Sequence, residues 1–289
     1  MEVIETRGAY RDACERARQR GRDVGFVATM GFLHEGHRSL LGRARDDNAF
    51  VAMSIFVNPL QFGPAEDLES YPRDLDRDVS LAEKDGVDVV FAPSADEMYA
   101  RGRPGVTVDP GPLGERFEGT ARPGHFRGVC TVVAKLFALT GPCRAYFGEK
   151  DAQQLAVIRA MVRDLEIPVE VVGCPTVREE DGLAMSSRNG YLSEEERRAA
   201  TCLYEALARA RWLVEGGERD ANVLRAEVAK RVGAEPLARI EYAAVVDEET
   251  FDEVDVLRRP ARALVAATLG NARLIDNLPL PVDDEDGGD

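Results

Sequence analysis

Short apolar runs alternating with helix-patterned segments constrain this chain more than any other feature. Residues 24–28, 49–57, 87–92, 145–147 and 169–172 are apolar or β-branched runs. Between them, residues 36–46, 73–85, 128–139 and 151–165 carry apolar residues at helical spacing. Strands that alternate with helices imply a parallel sheet covered on both faces. An α/β fold is therefore expected. In such sheets ligands bind outside the carboxyl ends of the strands. His34, Asn58 and Lys150 all follow strand ends, so distant parts of the sequence are expected to converge on one crevice.

The last third reads differently. Residues 194–214 form one long helical pattern, with Ser193 as N-cap and Glu196 at the capping-box position. A second helix covers 221–232, and strands are expected at 240–246, 263–267 and 273–275. This is a smaller α+β domain. We expect a first domain over residues 1–182, a second over 183–282, and a solvated, disordered acidic tail over 283–289. The polar stretch 177–189, with Gly182 inside it and Gly190 at its end, is the expected hinge.

The charge balance narrows the partners. The net charge of −15 offers no basic field for a nucleic-acid backbone. Five of those charges lie in the 283–289 tail, so the body is acidic too. The five cysteines are scattered without a C-x-x-C pair, which suggests reduced thiols and a cytoplasmic location. No signal peptide and no apolar run long enough for a membrane span is read. Basic residues are 33 arginines and four lysines, which gives each lysine added interest.

The chemistry concentrates in Thr29-Met30-Gly31-Phe32-Leu33-His34-Glu35-Gly36-His37, which holds two of the three histidines. A strand that delivers a glycine turn to a helix start is a ready anion site, and histidines there can meet transferring phosphate. A surface loop with two capping histidines is the bland alternative. As metal ligands the pair is weak, since only Glu35 and His125 offer further donors nearby. Gly148-Glu149-Lys150-Asp151 sits at a strand-to-helix junction, where a lysine can offset phosphate charge and Asp151 can cap or meet a ribose hydroxyl. Met185-Ser186-Ser187-Arg188 offers two hydroxyls and a guanidinium on a mobile loop, suited to closing over phosphates. Asn58, Gln61, Gln153 and Gln154 are neutral amides able to contact a small polar substrate. His125 could contact substrate or make an ordering hydrogen bond. P-loop, G-x-G-x-x-G and G-x-S-x-G motifs are absent from the sequence.

Together these segments resemble the pantothenate synthetase (pantoate–β-alanine ligase) family of H-x-G-H nucleotidyltransferases. The resemblance also includes Tyr71-Pro72-Arg73, Pro175-Thr176-Val177-Arg178-Glu179 and the Leu274-Ile275-Asp276-Asn277 ending. It implies a Rossmann-like nucleotidyltransferase domain and a two-step ligation. Pantoate and ATP, as its Mg²⁺ complex, would give pantoyl adenylate and pyrophosphate. β-Alanine would then displace AMP. The resemblance assigns ATP to Met30, Gly31, Phe32, Leu33, His34, Glu35, Gly36 and His37, and to Gly148, Glu149, Lys150 and Asp151. It adds Val177, Met185, Ser186, Ser187 and Arg188. His37 is implied as proton donor, with His34, Lys150, Ser186, Ser187 and Arg188 in the catalytic set. Gln61, Gln154 and Asn58 are the expected substrate contacts. Lys150, Arg188, Mg²⁺ and any protonated histidine would supply the cations that two anionic substrates require. No protein ligand to the metal is expected, since phosphates and water would hold it. A homodimer is implied. Three positions depart from the family pattern: Ala28 for a proline, Phe32 for a small residue and Ala152 for an aromatic. Gln61 and Gln154 separate this reading from a nucleotidyltransferase acting on another acid. The retained His34, His37, Lys150, Ser186 and Ser187 separate it from a non-catalytic nucleotide binder.

Overall fold

A computed structural model of the chain describes residues 1–63, 68–69, 71–99 and 102–282. The acidic tail expected at 283–289 lies outside the described residues. The chain divides into two compact units, Met1–Glu149 with Gln153–Pro175, and Lys150–Ala152 with the residues from Thr176 onward. The border read from sequence, at 182/183, falls within the second unit.

Among the described residues of the first unit, six strands form a parallel sheet in the order β1-β4-β3-β2-β5-β6. The strands are β1 Glu2–Ile4, β2 Val24–Thr29, β3 Phe50–Ile55, β4 Val89–Phe91, β5 Cys143–Gly148 and β6 Val169–Cys174. The helices are α1 Arg7–Gln19, α2 Glu35–Asp47, α3 Leu75–Lys84, α4 Ala95–Met98, α5 Glu118–Ala121, α6 His125–Thr140 and α7 Ala152–Asp164. The pleat sends alternate residues to opposite faces. Phe26, Ala52, Phe91, Ala145 and Phe147 enter one core with α1, α6 and α7. Val27, Met53, Val90 and Tyr146 enter a second core with Leu40, Leu41 and Ala44 of α2 and Ala82 of α3. Both sheet faces are thus covered, which is why these strands read as continuous apolar runs. The short strand β1 and helix α1 add to what the sequence patterns indicated.

The second unit packs α9 Cys202–Glu215 and α10 Ala221–Gly233 on an antiparallel sheet of β7 Ala238–Asp247, β8 Ala261–Leu269 and β9 Ala272–Leu280. Leu203, Leu207 and Val214 of α9 and Leu224 and Val228 of α10 meet Val245, Val265 and Leu274 of the sheet. The single helix expected over 194–214 is two helices, since α8 spans Glu194–Ala199 and α9 begins at Cys202. Thr201 causes the lapse. Its hydroxyl donates to Arg198 O at 2.9 Å and its N–H reaches the same carbonyl at 3.4 Å, instead of the i−4 carbonyl. No glycine or proline marks this break. Ser193 does form the expected capping box with Glu196.

All five cysteines are free thiols. Burial pushes the Cys14 thiol up to about 11, and those of Cys130, Cys143 and Cys202 to about 12.

Candidate active site

The strand order reverses at β2, which pairs with β3 on one side and β5 on the other. A crevice outside the carboxyl ends of β2 and β5 is the topological switch point where α/β sheets take ligands. The nonapeptide leaves β2 there, and Gly148 ends β5. A Cβ on Gly148 would meet nothing within 4 Å, so packing within the protein does not demand glycine at this position.

The turn after β2 is held from behind. Thr29 Oγ1 donates to Ser54 O at 2.8 Å and accepts from Gly31 N at 3.2 Å. Gly31 and Phe32 then take left-handed φ values of 84° and 51°. Glycine adopts this freely, whereas Phe32 does so at a cost of order 1–3 kcal/mol. The compensating contact is Asp78, on α3 and 1% exposed. Its carboxylate accepts from Phe32 N at 2.7 Å and Leu33 N at 2.8 Å. A Cβ on Gly31 would lie 2.9 Å from Asp78 Oδ2, so glycine is needed for space as well as φ. The Arg77 guanidinium stands 5.3 Å from the Phe32 ring centroid. Phe32, larger than the family's usual residue, thus carries a cation partner. Leu33 buries its side chain in the α2 core, so only its backbone borders the turn.

His34 is the N-cap of α2, and His37 sits in its first turn. His34 Nδ1 accepts from Gly36 N at 3.1 Å, and His37 Nδ1 accepts from His34 N at 3.4 Å. The ring centroids are 4.1 Å apart. The capping alternative is therefore correct as geometry, and it carries a chemical consequence. A nitrogen that accepts from a backbone N–H carries no proton, so each ring is neutral with its proton on Nε2. In this tautomer each ring carries its Nε2–H donor at the N-terminal end of α2. Glu35 points away into an ion pair with Arg38 at 2.6 Å.

Gln61 lies in a 3₁₀ turn, Pro59–Gln61, capped by Asn58. Asn58 is 1% exposed and spends both donors inside the protein, on Gln61 Oε1 and Gly128 O, each at 3.1 Å. Its Oδ1 accepts from Leu60 N at 3.2 Å and Tyr99 Oη at 2.8 Å. Burial pushes the Tyr99 phenol well up, which keeps it a donor. Asn58 therefore orients Gln61 and has no capacity left for substrate. Gln61 Nε2 reaches Met30 Sδ at 3.0 Å. A Cβ on Gly128 would lie 2.6 Å from Gln61 N, so α6 can approach this turn only at a glycine. His125 takes the ordering alternative. Its Nδ1 meets Gln61 O at 2.9 Å and its Nε2 meets Arg122 Nη1 at 3.1 Å. A carbonyl only accepts and a guanidinium only donates, so His125 is the Nδ1–H tautomer. Gln153 and Gln154 part company. Gln153 is 5% exposed and ties down the 113–118 segment through Leu113 O, Arg116 O and Glu118 N. Gln154 is half-buried and makes no side-chain hydrogen bond among the described residues.

In the second unit, Lys150 Nζ lies 3.7 Å from Asp151 Oδ1, within a 3₁₀ turn that Glu149 begins. The stretch expected as a hinge is pinned. Met185 N donates to Val177 O at 3.0 Å and Glu179 N to Leu183 O at 2.8 Å, making a small hairpin. Arg178 crosses to Asp276 with bonds of 2.7 and 2.9 Å and also holds Gly182 O at 3.0 Å. Arg197 pairs with Glu179 and with Asp181. Ser186 caps the 3₁₀ turn Ser187–Tyr191 by accepting from Arg188 N at 3.3 Å. Val177 O and the Ser186 hydroxyl are thus engaged internally, while Arg188 is half-buried with no ion pair among the described residues.

A family model described as pantoate-beta-alanine ligase matches residues 2–279. The chain belongs to the pantoate-beta-alanine ligase family. Pantothenate synthetases from Roseiflexus sp. (strain RS-1) and Thermotoga petrophila are 55% and 53% identical, covering 97% and 96% of this chain and 99% of each relative. The crystal structure of pantothenate synthetase from Thermus thermophilus matches with TM-score 0.91 at 50% identity, covering 98% of this chain and 100% of that one. A pantoate-beta-alanine ligase from Francisella tularensis, complexed with beta-gamma ATP and beta-alanine, matches with TM-score 0.78 at 32% identity, covering 96% and 97%. Several contacts in this member of the pantoate-beta-alanine ligase family were not signalled by its sequence. Asp78 is one of several acidic residues on α3, and nothing local marks it. Tyr99 bears on Gln61 through Asn58, and Arg122 through His125 and a direct bond to Gln61 O at 3.4 Å. The glycine at Gly128, in the first turn of a buried helix, was the one available signal of a close approach.

Proposed function

We propose that the protein joins pantoate to β-alanine at the expense of ATP, through a pantoyl adenylate. A pantoate carboxylate oxygen attacks the α-phosphorus of ATP, supplied as its Mg²⁺ complex. The new O–P bond forms as the bond to the β-phosphate oxygen breaks, and pyrophosphate leaves. The β-alanine amine then attacks the acyl carbon. A C–N bond forms, the acyl–oxygen bond to AMP breaks, and the amine gives up a proton. The observation that carries this reading is the pair of Nδ1-anchored histidines at the switch point, in a chain that matches the ligase family over residues 2–279.

In this reading His34 and His37 donate Nε2–H hydrogen bonds to phosphate oxygens. Neutral donors fixed in advance need little reorganisation as charge develops. Lys150 and Arg188 supply cations, Ser186 and Ser187 supply hydroxyl donors, and the Met30–Gly31 turn and Gly148 admit the nucleotide closely. Gln61 and Gln154 hold pantoate. Among the described residues no group of three or more His, Cys, Asp or Glu is arranged to bind a metal. Mg²⁺ would arrive with ATP, held by its phosphates and by water. We assign the enzyme to the cytoplasm as a homodimer, to be checked by sedimentation; no helix of the described residues is long and apolar enough to cross a membrane. The test is pantoate-dependent pyrophosphate release from Mg-ATP, followed by AMP and pantothenate once β-alanine is added. No pyrophosphate with pantoate present would sink this reading.

A further inference from the structure

Lys150 stands in a three-residue 3₁₀ turn, too short to hold itself by repeated backbone bonds. Its carbonyl is held by a side chain from far along the chain. Asn277, on β9 and 4% exposed, donates from Nδ2 to Lys150 O at 2.8 Å. The other end of this amide is fixed by a charge. Arg262, on β8 and 6% exposed, donates from Nη1 to Asn277 Oδ1. Arg262 in turn forks onto Glu248, with Nε at 2.9 Å and Nη2 at 2.6 Å from its carboxylate oxygens. The Asn277 backbone is also held, since its N–H donates to Asp276 Oδ1 at 2.7 Å and its carbonyl accepts from Arg178 Nη2 at 3.1 Å.

The polarity of this chain is forced. A guanidinium only donates, so the amide atom facing Arg262 must be oxygen, and Nδ2 must face Lys150 O. We propose that Asn277 and Arg262 are positioning residues for Lys150. The relay Glu248–Arg262–Asn277 sets the Lys150 carbonyl, and with it the root of the side chain whose ammonium meets the phosphates during adenylation. The inference rests on the function proposed above for Lys150. It gives the small antiparallel sheet a part in the chemistry.

Asn277→Asp isolates the relevant bond. It is isosteric and still accepts from Arg262, yet it places an oxygen against Lys150 O. Misplacement by about an ångström can cost about a hundredfold in rate. In the full-length variant, kcat for pyrophosphate release from Mg-ATP and pantoate should fall about 10- to 100-fold, with KM for pantoate unchanged. Conversion of chemically prepared pantoyl adenylate and β-alanine to pantothenate should stay within about twofold, because that step does not use the phosphate cation. Asn277→Ala should behave likewise, with a lower melting temperature because the buried Arg262 loses an acceptor. The proposal is overturned if Asn277→Asp adenylates like the unmodified chain. It is equally overturned if both half-reactions fall together in both variants, which would make Asn277 merely structural. If the unmodified chain released no pyrophosphate, the ligase reading would fall. The positioning claim would then be decided by the crystal structure of Asn277→Asp, where an unmoved Lys150 carbonyl would refute it.

Discussion

The first unit holds its candidate site residues with backbone N–H groups and neutral rings and amides, whereas the second holds them with guanidinium–carboxylate pairs. In the first, the Nδ1 atoms of His34 and His37 and the amide of Asn58 do the holding, and the Asp78 carboxylate answers two N–H groups, with the Arg77 guanidinium at a looser 3.6 Å. In the second, Arg178–Asp276 and Arg262–Glu248 fix the strand that carries Asn277. The contrast follows from the sheets. Helix and strand ends of a parallel sheet present unpaired backbone groups at the site, and short polar side chains can satisfy them. An antiparallel hairpin sheet offers few such groups, so its side chains must reach across it.

The comparison can be broken most severely at Arg178. Arg178→Met strips the partner from Asp276, whose side chain is 2% exposed. Removing one member of a buried pair costs about 3–5 kcal/mol. Urea unfolding should show that loss, and a loss under about 1 kcal/mol would mean that water already reaches Asp276. In the first unit the largest expected effect is on chemistry. His37→Ala should lower kcat for pyrophosphate release by about 10²–10³-fold, the scale of one lost transition-state donor. An unchanged kcat would remove His37 from the mechanism. Asp78→Ala sharpens the contrast from the stability side. It leaves two N–H groups of the strained Phe32 turn unanswered, at about 1–3 kcal/mol, and should weaken ATP binding measured by calorimetry. Unaltered stability and affinity would show that the turn holds itself.

The smallest effect is a pH dependence in the second unit. The hydrogen bond from Arg197 holds Asp181 below the ordinary aspartate value of 3.8, with help from Leu183 N–H. A depressed folded-state value adds stability above the ordinary value, and that stability is lost as pH falls through the lowered one. Asp181 is nearly half exposed, so the contribution stays under about 1 kcal/mol. Asp181→Asn should therefore lower the melting temperature slightly at neutral pH and not at all in strong acid. A deficit that persists in acid would assign the effect to packing.

The parallel core was legible because strands buried on both faces have no polar side to confuse the pattern, as 24–28 and 49–57 illustrate. Strand β1 was not, because it has three residues and only Ile4 is buried. The lapse at Ala200–Thr201 was hidden because a threonine hydroxyl, unlike proline, interrupts a helix only through the bond it happens to choose. For the site, the histidine motif announced itself through spacing. Its supports did not, since Asp78 acts through two backbone contacts from a different helix. Gln153 and Gln154 were equivalent as letters, and only their places on α7 separated a structural tie from a substrate candidate. Asn277 was visible as part of a resemblance, without any hint that its amide meets Lys150.

The state of the thiols has a practical reach. With Cys14 at about 11 and Cys130, Cys143 and Cys202 at about 12, the thiolate at pH 7 is about one part in ten thousand or less at each. Alkylating reagents act on thiolate. Burial raises the Cys174 thiol as well, so one cysteine introduced on an exposed surface would react far ahead of all five. A fluorophore could be attached at a chosen point without first building a cysteine-free background, so the motions of either unit could be watched in an otherwise unaltered chain.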